Sequence, residues 1–168
     1  WWLVGCEVPI VLAPNPRLSR VKYMGFLDVV LYNENTKKFI IIDIKTSTRG
    51  WNNSTKKDKS KQFQLVLYKK FFAEQYNVPI EDIDIEFFIV KRKLYESEDF
   101  VIKRVQQFRP PSGKTSINRA TRMLDEFLDN CFTREGFSEK DMPETPNDKC
   151  KWCPFFKTHL CKSTFQES

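Results

Sequence analysis

The amino-acid sequence predicts an α/β fold, a mixed central β-sheet flanked by helices, and three observations carry that expectation. Five segments rich in β-branched, aromatic and aliphatic residues read as strands, and two others place apolar residues at helical spacing. These strand-like and helical segments are interleaved, the pattern of a sheet with helices packed against it. The third observation is length: 168 residues suit one domain with a substantial core.

In chain order, residues 2–12 (WLVGCEVPIVL) and 22–32 (KYMGFLDVVLY) are the first two strands, with a turn-like APNPRLSR between them. After NENTKK comes the strand FIIIDIKTS, residues 39–47, then a lysine-rich stretch, TRGWNNSTKKDKSKQ, expected to be a mobile loop. It runs into a helix over residues 59–77 with Phe63, Leu67, Phe71 and Phe72 on a stripe, ending before Pro79. IDIEFFIVKRKLY and DFVIKRVQQF read as two more strands joined by the turn ESE, with RPPSG closing the second. Ile117, Ala120, Met123, Leu124 and Leu128 then mark an amphipathic helix over residues 116–131. From Thr133 the chain is polar and Pro-rich until a cysteine cluster. We therefore divide it into a core, residues 1–132, and a cysteine-rich segment, residues 133–168, packed on that core.

No apolar run approaches the roughly 20 residues that span a bilayer, so no membrane association is expected. The first residues lack the basic lead and cleavage site of a signal peptide, and the chain starts without methionine on a strand already under way, which leads us to expect an upstream segment. A net charge of +6 favours a polyanionic partner. Five cysteines, an odd number with three clustered near the C-terminus, suit metal ligation in a reducing, intracellular compartment better than a secreted disulfide framework.

The strand FIIIDIKTS places an acid and a base among isoleucines. A turn centred on Asn35 and Thr36 makes paired positions in the hairpin sum to 71, which sets Asp28 opposite Asp43, Val30 opposite Ile41 and Phe26 opposite Lys45. Opposed residues share a face with Cβ atoms about 4.5 to 5.5 Å apart. The other face pairs Leu27 with Ile44, Val29 with Ile42 and Leu31 with Ile40, so it should be covered. Asp28, Asp43 and Lys45 are then grouped in an apolar setting. Two facing carboxylates need a cation or a shared proton. Mg²⁺ suits them, since it takes one or two carboxylates and completes its shell with water and phosphate oxygens. Lys45 is placed to orient or deprotonate a water on such an ion. For D-x-K alone, an ordinary ion pair on a strand is the commoner outcome; the facing Asp28 is what sets this strand apart.

GFLDVVLYNENTKKFIIIDIKTS followed by QLVLY resembles the PD-(D/E)XK nucleases, in particular the RecB-like branch that includes CRISPR-associated exonucleases and many phage exonucleases. The resemblance implies a restriction-endonuclease-like fold and a metal-dependent deoxyribonuclease, an exonuclease acting in recombination, repair or replication. It implies that Asp28 and Asp43 bind catalytic Mg²⁺ or Mn²⁺, that Lys45 is the motif lysine, and that Gln64 and Tyr68 are the Q-x-x-x-Y pair on one helix face. Glu7 takes the place of a glutamate frequent on the preceding strand. Relatives often use a further histidine or glutamate on an upstream helix, for which this sequence offers no counterpart. Implied partners are DNA, as single strands or duplex ends, and a helicase or recombination protein, in the cytoplasm or, for a phage-encoded chain, in the host cell. The competing possibility is a non-catalytic DNA-binding or assembly module.

Cys150 and Cys153 form a C-x-x-C pair with Cys161 eight residues on, and they resemble the C-terminal part of that branch's iron–sulfur staple. A 4Fe-4S cluster needs a fourth ligand, for which Cys6, Cys131, His159 or an upstream residue are candidates. Structural Zn²⁺ held by Cys150, Cys153, Cys161 and His159 is the alternative. Arg49, Trp51, Lys56, Lys57, Lys59 and Lys61 lie between Lys45 and Gln64, where they can grip phosphates and stack on a base.

Overall fold

The computed structural model describes residues 1–94, 103–138, 150–156, 158–159 and 161. Five strands, β1 (Trp2–Leu12), β2 (Tyr23–Asn33), β3 (Lys38–Ser47), β4 (Ile83–Lys91) and β5 (Val105–Phe108), lie in that order in one sheet. β3 and β4 are parallel and every other neighbouring pair is antiparallel. The parallel step requires a long crossover, supplied by α2 (Lys59–Tyr76). α3 (Lys114–Cys131) follows β5 and packs on α2.

The first three strands and both long helices fall within two residues of their expected limits. Two expectations are corrected. The stretch expected to be a mobile loop contains a short helix, α1 (Asn53–Lys57), started by Asn52, whose side chain accepts a hydrogen bond from the Thr55 N–H at 2.8 Å. α2 does not bury one stripe. Leu65, Val66, Tyr68, Phe71 and Phe72 are buried, as are Gln62 and Lys69, while Phe63 and Leu67 pack at the margin. The reason is its place between the sheet on one side and α3 on the other, which makes more than one face apolar. The expected turn at residues 96–98 lies outside the described residues, and β4 stops at Lys91.

The hairpin register is the expected one where the ladder exists: Val29 pairs with Ile42, Val30 with Ile41 and Leu31 with Ile40. The ladder ends there, so the expected pairs Asp28–Asp43, Leu27–Ile44 and Phe26–Lys45 do not form. The cause is a change of face within β2. Near its start, Tyr23 packs on Phe71 of α2, with ring centroids 4.4 Å apart. Near its end, Tyr32 lies against Phe39, which in turn packs on Phe72 of α2. Odd positions thus face the helix at one end of the strand and even positions at the other. The switch falls between Leu27 and Val30, both fully buried, with Asp28 in the gap. On β1, the partners Cys6–Val29 and Val8–Leu27 flank Glu7, which has a left-handed backbone with φ of 52°. Phe26 consequently points away from the core and is 52% exposed, as is Ile44 at 44%. The second hairpin face is therefore not wholly covered by described residues.

Candidate active site

The site forms where β2 and β3 part. Asp43 follows Phe39 and Ile41 on the helix-facing side of β3, and its carboxyl is 4% exposed. Lys45 Nζ donates to Asp43 Oδ1 at 3.0 Å and lies 2.7 Å from Oδ2. The direction to Oδ2 does not make a hydrogen bond, and that oxygen is the one buried side-chain polar atom without a partner among the described residues. Asp28 stands at the strand switch, where its Oδ2 accepts the Ile44 N–H at 2.6 Å. Burial pushes the Asp43 carboxyl above the usual carboxylate range; Lys45 opposes the rise and the Asp28 charge adds to it.

A buried carboxylate is costly unless its charge is met, and here the Lys45 ammonium, 2.7 Å from Oδ2, meets part of it. The carboxylate lies next to a second acid and beside that one cation, a donor set that fits a divalent ion completing its shell with water and phosphate oxygens. No three His, Cys, Asp or Glu side chains gather into a metal-holding group among the described residues. Exposed Glu7, at the level of Asp28 on β1, thus does not make a third carboxylate with the two aspartates.

α2 forms the second wall. Gln64 Nε2 donates to Tyr68 Oη at 3.0 Å, so the pair acts as one unit one helical turn long. Tyr68 is buried against Gly25 of β2, where an added Cβ would stand 2.6 Å from the ring. A glycine is required there because the ring occupies the space of a side chain. The half-buried Tyr23 phenol titrates far above the usual tyrosine range, through desolvation and then the neighbouring Tyr68.

Lys45, Thr46, Trp51, Ser60, Lys61 and Gln64 line a cleft of about 300 Å³. It brings together four residues expected at the site and adds Thr46 and Ser60, which no sequence pattern marked. Trp51 also packs on Phe87 and Phe108, and its backbone is clasped by Gln106, which accepts from the Trp51 N–H at 2.7 Å and donates to its carbonyl at 3.1 Å. The ring is thus anchored on one side and lines the cleft on another. Among the remaining basic residues, Lys56 lies over the Phe108 ring, Lys59 donates to Gln62 at 3.2 Å, and Arg49 and Lys57 are exposed. Asp58, within this basic run, caps α2: its Oδ1 accepts from the Ser60 N–H and hydroxyl, and its Oδ2 pairs with Lys61 at 2.9 Å. Those hydrogen bonds, that from the Ser60 hydroxyl first, hold its carboxyl well below the usual range.

Cys150 and Cys153 lie on successive tight turns, with the Cys153 N–H donating to the Cys150 carbonyl at 2.9 Å and the Cys161 N–H to the Thr158 carbonyl at 3.1 Å. No disulfide joins any of the five cysteines. The three C-terminal thiols and His159 are not drawn into one metal-holding group.

Comparison with known proteins gives one family match: the family model of the PD-(D/E)XK nuclease superfamily matches residues 1–161. No curated protein matches the chain. Among solved structures, the crystal structure of SSO0001 aligns with 20% identity and a TM-score of 0.43, covering 90% of this chain and 57% of that one.

Proposed function

The chain belongs to the PD-(D/E)XK nuclease superfamily, and from that premise we propose that it is a Mg²⁺- or Mn²⁺-dependent deoxyribonuclease that hydrolyses phosphodiester bonds in the cleft at Lys45. The observation that carries this reading is the buried Asp43 carboxyl beside Asp28, its Oδ2 ion-paired with Lys45 at 2.7 Å but without an aligned hydrogen bond. In this proposal Asp28 and Asp43 hold the ion. When bound, it supplies Lewis acidity and lowers the pKa of water at neutral pH.

The chain's own residues do the rest. Asp43 and Asp28 provide the negative charge, and the wall of Ile41, Phe87 and Ile89 keeps bulk water from weakening the electrostatics. The Lys45 ammonium, 36% exposed at the cleft, stabilises the charge that grows on the phosphoryl oxygens and orients the attacking water. Gln64, steadied by Tyr68, positions the phosphate from the helix side. Lys61 and Trp51 hold the flanking strand; Glu7, which does not join the two aspartates, acts only through a water of the metal shell. Arg49, Lys56, Lys57 and Lys59 add long-range attraction for DNA.

Action on DNA ends, work alongside a helicase or recombination protein, and a RecB-like cysteine clamp at Cys150, Cys153 and Cys161 are finer parts of the same proposal, supported by the sequence resemblance. The test is cleavage of labelled DNA with Mg²⁺ or Mn²⁺ by the parent and by Asp43→Ala and Lys45→Ala. Loss of about 10²-fold or more in the variants is expected. If the parent cuts no faster than the variants, the enzyme reading falls and the non-catalytic DNA-binding module takes its place.

A further inference from the structure

A larger hollow, of about 640 Å³, opens between α2 and α3. Lys59, Arg119 and Arg122 bring cations to its lining, Phe63, Val66 and Pro111 bring apolar surface, and no acid lines it. Arg122 has one loose partner, Glu126 at 3.7 Å, and both are largely exposed, so that pair offsets little of the charge. Cations beside apolar surface with an aromatic ring suit a ligand that alternates phosphates with flat bases. Phe63, half-buried, offers its ring to stack on an unpaired base, which favours a single strand over a duplex.

The hollow adjoins the cleft. Ser60, Lys61 and Gln64 line the cleft, while Lys59, Gln62, Phe63 and Val66 line the hollow, so the first two turns of α2 are a ridge between the two. A helix with its side chains is about 10 Å across. A single strand can span that distance in a few nucleotides.

We propose that the α2–α3 groove is a second binding segment for nucleic acid, in which Arg119, Arg122 and Lys59 hold the backbone of a single DNA strand a few nucleotides from the phosphate at Lys45. This deepens the nuclease reading, and rests on it for the identity of the strand.

The test is fluorescence-anisotropy titration of the whole chain, in EDTA so that nothing is cut, with single-stranded oligonucleotides of about three and about twelve nucleotides, the longer one spanning both sites. The parent is expected to bind the longer strand at least tenfold more tightly. Arg119→Glu/Arg122→Glu should lose that gain, and its salt slope on the longer strand should fall by about 1.4, two phosphate contacts at about 0.7 each. Lys37→Glu/Lys38→Glu makes the same charge change at the far end of β3 and should keep the gain. Arg119→Gln/Arg122→Gln, with thermal melts of every variant, separates lost contacts from lost folding. Unchanged binding by both arginine variants overturns the proposal, as does equal damage from the Lys37/Lys38 variant, or duplex competing as well as single strand. Length-dependent binding that vanishes in the arginine variants while the parent cuts nothing with Mn²⁺ leaves the groove standing and the nuclease reading lost. Normal cleavage with binding unchanged in the arginine variants does the reverse.

Discussion

Asp43 is where function and stability pull apart. Its folded-state carboxyl titrates above its ordinary value of 3.8, chiefly through burial, so between the ordinary and raised values the folded chain binds more protons than the unfolded one. Stability therefore falls as pH rises through that window, and at neutral pH the full penalty of the buried charge is present. Asp43→Asn removes the charge and keeps the shape. It should abolish cleavage yet raise the melting temperature at pH 7, by about 2 to 4 °C if the penalty is about 1 kcal/mol, with the gain vanishing below the ordinary carboxylate value. Thermal melts of the two proteins across pH check this; a variant less stable at pH 7 would mean that the Lys45 pairing outweighs the burial. Gly25→Ala makes the opposite kind of case. The new methyl would meet the Tyr68 ring at 2.6 Å, forcing the ring and its bond with Gln64 to move. A loss of about 1 to 3 kcal/mol in urea unfolding is expected, together with reduced cleavage. The acids and the lysine were marked by the D-x-K spacing and the family resemblance more than by strand pairing, since the expected Asp28–Asp43 pair does not form. Gly25 was not, since nothing local to a strand says which helix side chain will press on it.

At the level of elements, enrichment in β-branched, aromatic and aliphatic residues located β1, β2 and β3 correctly, and alternation then misplaced residues within them. The faces of β2 exchange at Asp28, beside a left-handed Glu7, and alternation read through such a switch assigns Leu27 and Phe26 to the wrong sides. That local irregularity coincides with a proposed functional residue, as expected where a site overrides regular geometry. β4 hides a comparable exception. Glu86 reads as the polar half of an alternating strand, yet it is 4% exposed, held by Arg109 Nε at 2.7 Å and Gln107 Nε2 at 2.7 Å from β5 and its end. Only two strands determine whether a short β5 stays paired, so this cluster pins the strand that carries Gln106, the residue clasping Trp51. Arg109→Ala leaves a buried carboxylate with one neutral partner and should cost about 1 to 3 kcal/mol in denaturant titration. It should also loosen the Trp51 loop, read as greater exposure of tryptophan fluorescence to a neutral quencher. Unaltered unfolding would mean that solvent replaces Arg109, whose side chain is 60% exposed.

For the molecule as a whole, the family match continues to residue 161, well past the end of α3 at Cys131, so the cysteine-bearing segment belongs to the same family unit as the sheet. The spacing of Cys150, Cys153 and Cys161 points to a thiolate set, while side-chain geometry draws no such group together among the described residues. If the segment is a metal-bound clamp, protein purified without oxygen should contain iron and be brown, or contain zinc and be colourless, by absorption and elemental analysis. Cys153→Ser should then lose the metal and lower the melting temperature. Cleavage per folded molecule should persist, because Asp28, Asp43 and Lys45 lie on β2 and β3. Stoichiometric metal in the parent that survives in Cys150→Ser, Cys153→Ser and Cys161→Ser alike would place it elsewhere and remove the clamp. Metal lost in all three together with cleavage, in protein that remains folded by circular dichroism, would instead tie the cysteine segment to the alignment of the cleft.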